Sequence, residues 1–388
     1  MDFVAKTFLG LEEVLLQELV TLGAQNITKE RRAVTFSGDL ALMYRANLCL
    51  RTASRVLKVI DTFDADEADE IYEKAKRIDW DKYMSPDQTF AIDSTVYSET
   101  FRHSQFVSYR VKDAVADYFY ERNNYRPSVR LTKPDVTINV HISHNHCTIS
   151  LDSSGESLHK RGYRVAPTFA PINEALAAGI LLMAGWNGQM NFIDPMCGSG
   201  TFLIEAGLIA RNIPPGIFRE QFAFENWIDF EKELFAEIYN DDSQERDFNF
   251  KIFGYDVAPK AIEAAQNNVK AAGMSKYVEL EKRAISDFEL PSGAGLLITN
   301  PPYGERMKTD DLMELYNQLG RAFKHKCAGI NSWVISSNLD CLHNIGLKPA
   351  QKIKLMNGEL DCDLWKFNIF AGKRNDYLAM RGGRRRSL

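Results

Sequence analysis

Two successive α/β regions are what this 388-residue sequence predicts: an αβ mixture over the first 155 residues, then a doubly wound parallel sheet from about residue 172. Three observations carry that prediction. Short alternating strands and amphipathic helices succeed one another from the N-terminus without a glycine-rich nucleotide loop. Composition shifts over 152–171 to DSSGESLHKRGYRVAPTFAP, rich in glycine, serine, proline and basic residues. Beyond that point QMNFIDPMCGSGTFLIEAGLIA reads as strand, glycine turn and helix.

In order, the pattern predicts a strand at 2–8, a helix at 10–22, a strand at 33–38 and an arginine-studded helix at 40–55. The acidic run DTFDADEADE at 61–70 reads as a surface segment or a helix start. A helix at 71–78, a strand at 89–96, a helix at 106–122 and a hairpin of two alternating strands at 135–152 follow. An apolar helix at 172–186 opens the second region. Units at 1–60 and 61–155, a linker at 156–171 and a large domain at 172–388 are the expected divisions.

Bulk properties limit what the protein does. Hydrophobic residues make up 45% and charged residues 26%, and no stretch approaches the roughly 20 unbroken apolar residues a bilayer requires. Glu12, Glu13, Gln17 and Glu18 interrupt the N-terminal apolar residues at helical spacing, unlike a signal peptide, so the expectation is a soluble, cytoplasmic protein. The six cysteines form no CxxC pair, which argues against a disulfide framework and a thiolate zinc site. A net charge of −5 excludes a generally polybasic coat but leaves local phosphate-binding surfaces open.

The chemistry begins at Asp194-Pro195-Met196-Cys197-Gly198-Ser199-Gly200. Glycines at a strand's carboxyl end let backbone amides approach a ligand, and open α/β sheets bind cofactors there. A dinucleotide fingerprint would show a third glycine and an acid about 20 residues later. Neither is present. The next strand ending in an acid is KIFGYDV, and the stretch 218–248 before it reads as an insertion. Asp256 there suits hydrogen bonds from two ribose hydroxyls, with Val257 beside it; a helix N-cap is its plainer role. Asp287 and Phe288, at the end of a third strand, suit an adenine amine and ring face, though Asp-Phe also occurs in ordinary turns.

LLITNPPYGER is the most specific motif. An apolar strand runs into Asn300-Pro301-Pro302-Tyr303, whose prolines stop the strand and stiffen the backbone. Methyl transfer to an exocyclic amine needs such rigidity, because the nitrogen must lie on the line of the leaving sulfur. Its lone pair is delocalised into the base. The Asn300 side-chain oxygen and the Pro301 carbonyl can accept its two N–H protons and favour a pyramidal nitrogen, while Tyr303 can stack on the extruded base. No strong general base is required. A Pro-Pro turn closing a strand explains NPPY alone, but not in sequence after the glycine loop and two acids.

Weaker signals remain. His141, His144 and His146 resemble metal ligands, yet they span a hairpin tip where side chains alternate faces, and no metal is expected. Arg122, Arg126, Arg130 and Lys133, then Lys160, Arg161 and Arg164, interleave with Tyr125 and Tyr163 as phosphate contact plus base stacking would require. An ordinary solvated surface gives the same pattern. Arg381, Arg384, Arg385 and Arg386 suit a flexible phosphate-binding arm or a tail without function.

The order HKRGYR, P-x-N-E-A-L-A-A, D-P-M-C-G-S-G-T, G-Y-D and N-P-P-Y-G-E-R resembles the bacterial THUMP-domain RNA guanine-N2 methyltransferases over nearly the whole chain. Within them it is most similar to the branch forming N2-methylguanosine in 23S ribosomal RNA, in the version lacking a second fused methyltransferase domain. The resemblance implies a ferredoxin-like unit at 1–60, a THUMP RNA-binding domain at 61–155, and a Rossmann-like class I methyltransferase domain with a seven-stranded, mostly parallel sheet. It implies S-adenosylmethionine as donor and S-adenosylhomocysteine as product. Carried over residue by residue, Asp194, Gly198 and Gly200 form the cofactor loop, with Pro195 and Cys197 in it. Asp256 becomes the ribose ligand, Asp287 the adenine contact and Asn300 to Tyr303 the catalytic motif; Asn173 and Glu174 match only loosely.

Other functions stay open on the residues alone. A tRNA guanine-N2 methyltransferase, an N6-adenine DNA methyltransferase and a noncatalytic RNA-binding assembly factor each fit part of the pattern. Methyl incorporation into tRNA or DNA, or none at all, separates them.

Overall fold

The structure is a computed structural model that describes residues 1–101, 103–166, 171–293, 295–303 and 309–370. The chain divides into two compact units. One comprises Met1–Thr7, Leu15–Lys160 and Pro215–Asp241; the other comprises Phe8–Val14, Arg161–Pro214 and Asp242–Leu388. The arginine-rich tail lies outside the described residues.

The first unit is built on β1 (Asp2–Thr7), α1 (Glu12–Thr21), β2 (Gln25–Glu30), β3 (Ala33–Ser37), α2 (Leu40–Cys49) and β4 (Ala53–Asp64). It continues through α3 (Ala68–Lys76), β5 (Phe90–Tyr97), α4 (Ser104–Asn123), β6 (Val136–Ser143) and β7 (His146–Asp152). One seven-stranded sheet runs β2-β3-β1-β4-β7-β6-β5. Its first four strands pair antiparallel in the order β4-β1-β3-β2, the βαββαβ arrangement of a ferredoxin-like fold.

One sequence expectation is corrected here. The helix anticipated over 40–55 ends at Cys49, and β4 begins at Ala53. The ASRVLKVID run carries β-branched residues that pack better on a pleated surface than on a helix. β4 pairs with β1 through Ala53 to Lys58 and with β7 through Leu57 to Asp64, so one long strand joins the first four strands to the rest of the sheet. The acidic run supplies the end of β4 and the first turn of α3, where Asp69 and Glu70 face the helix's positive end.

Of the insertion read over 218–248, the part to Asp241 folds with this unit, beginning at Pro215, and the remainder belongs to the second unit. The segment 215–241 holds α7 (Lys232–Tyr239) and two short 3-10 turns, and it packs Phe222, Phe224, Phe230 and Phe235 around Tyr44 of α2. The Tyr44 and Phe224 rings lie 4.6 Å apart. Lys58 pairs with Asp229 at 2.5 Å and lies over the Trp227 ring.

The second unit contains α5 (Glu174–Met183), β8 (Asn191–Asp194), α6 (Thr201–Arg211), β9 (Ile252–Asp256), α8 (Pro259–Ala271), β10 (Val278–Lys282) and β11 (Gly295–Thr299). α9 (Thr309–Lys326), β12 (Asn331–Ser336), α10 (Leu339–Asn344), β13 (Gln351–Asn357) and β14 (Leu360–Asn368) complete it. Its sheet runs β10-β9-β8-β11-β12-β14-β13: five parallel strands, then two antiparallel ones at one edge. From β8 the chain first builds outward to β9 and β10, then returns to add β11 on β8's other side. That reversal puts a crevice at the carboxyl ends of β8 and β11, where open α/β sheets bind ligands.

Candidate active site

Asp194 ends β8 fully buried. Its Oδ1 accepts hydrogen bonds from Thr299 Oγ1 at 2.8 Å and from the Met196 amide at 3.1 Å. Burial pushes its carboxyl up to about 7; the Asp256 charge adds to the rise, against the pull of the two hydrogen bonds. β11 pairs with β8 through Leu297 and Ile193, so Asn300, one residue past Thr299, emerges beside the turn that follows Asp194.

That turn is set by bonds from its amides to the end of β9. The Cys197 amide donates to the Tyr255 carbonyl at 2.8 Å, and the Gly198 amide to Asp256 Oδ2 at 3.0 Å. Gly198 has φ +56 and Gly200 φ +84, the left-handed region that glycine enters without steric cost. Pro195 is buried beneath it. The Cys197 thiol is buried and pushed well above its usual range, so the cysteine serves through its amide rather than as a nucleophile.

Asp256 fixes the backbone on both sides of the crevice wall; the N-cap of α8 itself is Ala258. Oδ1 accepts from the Ala258 amide at 2.8 Å just before α8, while Oδ2 fixes the glycine turn. Each oxygen keeps a lone pair for a ligand hydroxyl. Val257 beside it is 64% exposed, an apolar face open at the crevice. Asp287 is exposed at the end of a short 3-10 turn. Phe288 is a correction: its ring is buried against Tyr255 at 5.6 Å, because an apolar cluster behind the crevice claims it, so it braces the wall rather than presenting a ring face.

The Asn-Pro-Pro-Tyr corner is held from behind. Tyr316 Oη donates to the Pro302 carbonyl at 3.3 Å and lies 2.8 Å from Ser336 Oγ. Asn357 Nδ2 donates to Tyr303 Oη at 2.8 Å. Tyr303 is only 6% exposed, so stacking on a base requires its ring to be uncovered first. Pro301 is buried. Among the described residues, Asn300 Oδ1 is buried without a hydrogen-bond partner. A buried acceptor in that condition costs roughly 1–3 kcal/mol, which a ligand N–H would recover.

The basic residues separate into two groups. Arg126, Arg130, Lys133 and Lys160 are exposed, with Arg126 paired to Asp117 and Lys160 to Glu156. Arg161 and Arg164 are corrections to the expected phosphate surface. Arg161 is buried with Glu205, which also accepts from Tyr163 Oη at 2.9 Å. Arg164 reaches Glu174, Ser199 and Thr201 inside the second unit. A buried charge needs a partner, and these acids supply it. Sequence reasoning also missed Thr299, Asn268, Tyr316 and Asn357. Only their nearness to a motif, for Thr299, could have signalled any of them.

At the hairpin tip His146 meets Asp64 at 2.9 Å and His141 packs on Tyr97. Among the described residues, no group of three or more His, Cys, Asp or Glu gathers to hold a metal, and no helix is long and apolar enough to cross a membrane.

The site residues fit an adenosyl donor. A Cβ at Gly198 would meet no described atom within 4 Å, so one face of the turn is open, and Asp256 and Asn300 offer acceptors beside it. Comparison with known proteins agrees. Residues 161–366 match the RMKL-like methyltransferase domain, residues 65–152 the THUMP domain and residues 2–57 the RlmL ferredoxin-like domain.

A Synechocystis sp. protein named as an RNA methyltransferase is 40% identical, with 93% of this chain and 95% of that protein covered. A protein of Syntrophotalea carbinolica named ribosomal RNA large subunit methyltransferase K/L is 38% identical over 95% of this chain. The chain spans 54% of that relative's length. A solved methylase from Clostridium difficile 630 superposes with a TM-score of 0.87 at 33% identity, covering 96% of this chain and 99% of that one. One from Listeria monocytogenes, named as an N6-adenine-specific DNA methylase, has a TM-score of 0.86 at 31% identity, covering 95% and 96%. With its crevice, its Asp194-Pro195 and Asn300-Pro301-Pro302 strand ends and these matches in agreement, the chain belongs to the RMKL-like methyltransferase family, with ferredoxin-like and THUMP domains preceding the methyltransferase domain.

Proposed function

We propose that this protein transfers a methyl group to the exocyclic N2 of a guanine in structured RNA, with 23S ribosomal RNA as the substrate, in the cytoplasm. The observation that carries this reading is the buried, unpartnered Asn300 Oδ1 at the end of β11, beside the glycine turn of β8. The names of the Synechocystis and Syntrophotalea relatives favour RNA, and ribosomal RNA in the second case.

When bound, S-adenosylmethionine supplies an electrophilic sulfonium methyl. Gly198 and the Gly200 turn, with Asp194, Pro195 and the Cys197 amide behind them, form the floor on which the donor would lie. Asp256 and Asp287 would accept from its ribose and adenine, and exposed Val257 would cover an apolar edge. Asn300 Oδ1 and the Pro301 carbonyl accept the two amine N–H protons and draw the lone pair out of conjugation with the base. Pro301 and Pro302 hold that corner rigid, so the nitrogen's direction of approach is fixed before reaction. Arg126, Arg130, Lys133 and Lys160 would contact RNA phosphates.

The test is incubation with tritiated S-adenosylmethionine and, separately, 23S ribosomal RNA, tRNA and DNA. N2-methylguanosine in digested 23S RNA supports the proposal. The name of the Listeria relative favours the alternative of N6-methyladenine in DNA, and label found only there would replace the reading.

A further inference from the structure

Ser199, between the two glycines of the turn, is gripped at both ends by residues outside it. Its hydroxyl accepts from Arg164 Nη1 at 2.9 Å. Its carbonyl accepts from Asn268 Nδ2 at 3.1 Å. Arg164 also donates to Thr201 Oγ1 at 3.0 Å and pairs with Glu174, the first residue of α5, at 2.7 Å. Asn268, on α8 and 1% exposed, further accepts from the Val165 and Ala166 amides, both at 2.9 Å, and donates to the Ala166 carbonyl at 2.9 Å. Four hydrogen bonds saturate one buried amide.

These bonds stitch the segment 164–166 to the turn, and neither Arg164 nor Asn268 belongs to a motif that identifies the donor site. The planar guanidinium reaches a carboxylate and two hydroxyls from three separate nitrogens in a fixed fork, a geometry that the single nitrogen of an ammonium does not reproduce. A glycine-rich turn left to itself would sample many backbone states.

We propose that Arg164 and Asn268 are positioning residues for the donor: they lock the Ser199 peptide so that the Gly198 to Thr201 backbone is organised before the adenosyl ligand arrives. The proposal rests on the methyltransferase reading above. It assigns the basic segment before α5 to the donor site rather than to RNA.

The test is calorimetric titration of the full-length chain with S-adenosylhomocysteine, alongside Arg164→Lys, Ser199→Ala and the double variant. Arg164→Lys keeps a cation against Glu174 but loses the fork. Its Kd is expected to rise about tenfold or more, the cost of a loosened binding constellation. In methylation assays KM for the donor rises in parallel while kcat stays within about twofold. Ser199→Ala weakens binding less, and the double variant is no weaker than Arg164→Lys alone, because both remove one bond. Wild-type affinity retained in Arg164→Lys overturns the proposal. Should that variant not fold, an unchanged Kd in Ser199→Ala overturns it equally. Absence of any binding by the wild type defeats instead the underlying donor-site reading.

Discussion

Thr299 Oγ1 donates to Asp194 Oδ1 across 2.8 Å, tying the last residue of β11 to the last residue of β8. Through this buried bond the strand that delivers Asn300 is registered on the strand that delivers the glycine turn. A shift of either strand end would separate the acceptor from the donor floor.

Replacing Asn300 with alanine removes the unpartnered acceptor and leaves that registration intact. Methyl incorporation is expected to fall about 10²- to 10³-fold, the usual cost of losing one preorganised polar contact to a transition state. S-adenosylhomocysteine binding should stay within a few fold. Scintillation counting and calorimetry on the same preparations check both; unimpaired incorporation would refute the role of Asn300.

Asp256→Ala loses the bond to the Gly198 amide and the acceptor for a ligand hydroxyl together. Affinity for S-adenosylhomocysteine should drop by at least about tenfold, as expected when a hydrogen bond to a charged group worth about 1.5–3 kcal/mol is lost. An unchanged titration would remove Asp256 from the donor site.

Asp194 makes stability depend on pH. Its carboxyl titrates near about 7 in the folded chain and near 3.8 when unfolded, so the folded state holds the extra proton between those values. The stabilising contribution is complete below about pH 4 and is lost as pH rises through 7, amounting to at most about 4 kcal/mol at 1.36 kcal/mol per unit. Urea midpoints of the ligand-free protein from pH 4 to 8 should show that decline. Asp194→Asn should flatten it, and parallel curves for the two proteins would refute the assignment.

Glu205→Gln leaves the buried Arg161 guanidinium without its counter-charge. A stability loss of about 3–5 kcal/mol is expected, as for other broken buried pairs, and equilibrium denaturation measures it. A loss below about 1 kcal/mol would show that Arg161 does not depend on Glu205 for its counter-charge.

Exposed Arg130 and Lys133 should act on RNA instead. Alanine at either is expected to weaken RNA binding across sequences and lower the slope of log K against log salt by about one unit. Filter binding at several salt concentrations tests this, and an unaltered slope would exclude them as phosphate contacts.

Much of the catalytic end was legible because its residues sit in short contiguous motifs. The Asp194 turn and the Asn300 corner each follow an apolar strand, and strand ends are where the chemistry of an open sheet must lie. β2 was not legible, since its residues are nearly all exposed and carry no alternation; it is a polar edge strand. β4 was missed because the anticipated helix took its first three residues and the acidic run its last ones, while its apolar residues serve two partner strands along its length. Arg161 and Arg164 were misread for a related reason. Lysine and arginine clusters normally signal solvent, and the acids that bury these two, Glu205 and Glu174, stand 44 and 10 residues away.

The polypeptide passes between its two units five times, after Thr7, Val14, Lys160, Pro214 and Asp241. A scission after Lys160 would therefore not liberate two self-sufficient halves. The amino-terminal fragment would forfeit the Phe222 to Phe235 cover over Tyr44 and bare an aromatic surface, inviting aggregation. The carboxyl-terminal fragment would carry that cover with nothing to shield. Autonomous pieces would need 215–241 grafted onto the first fragment and 8–14 onto the second.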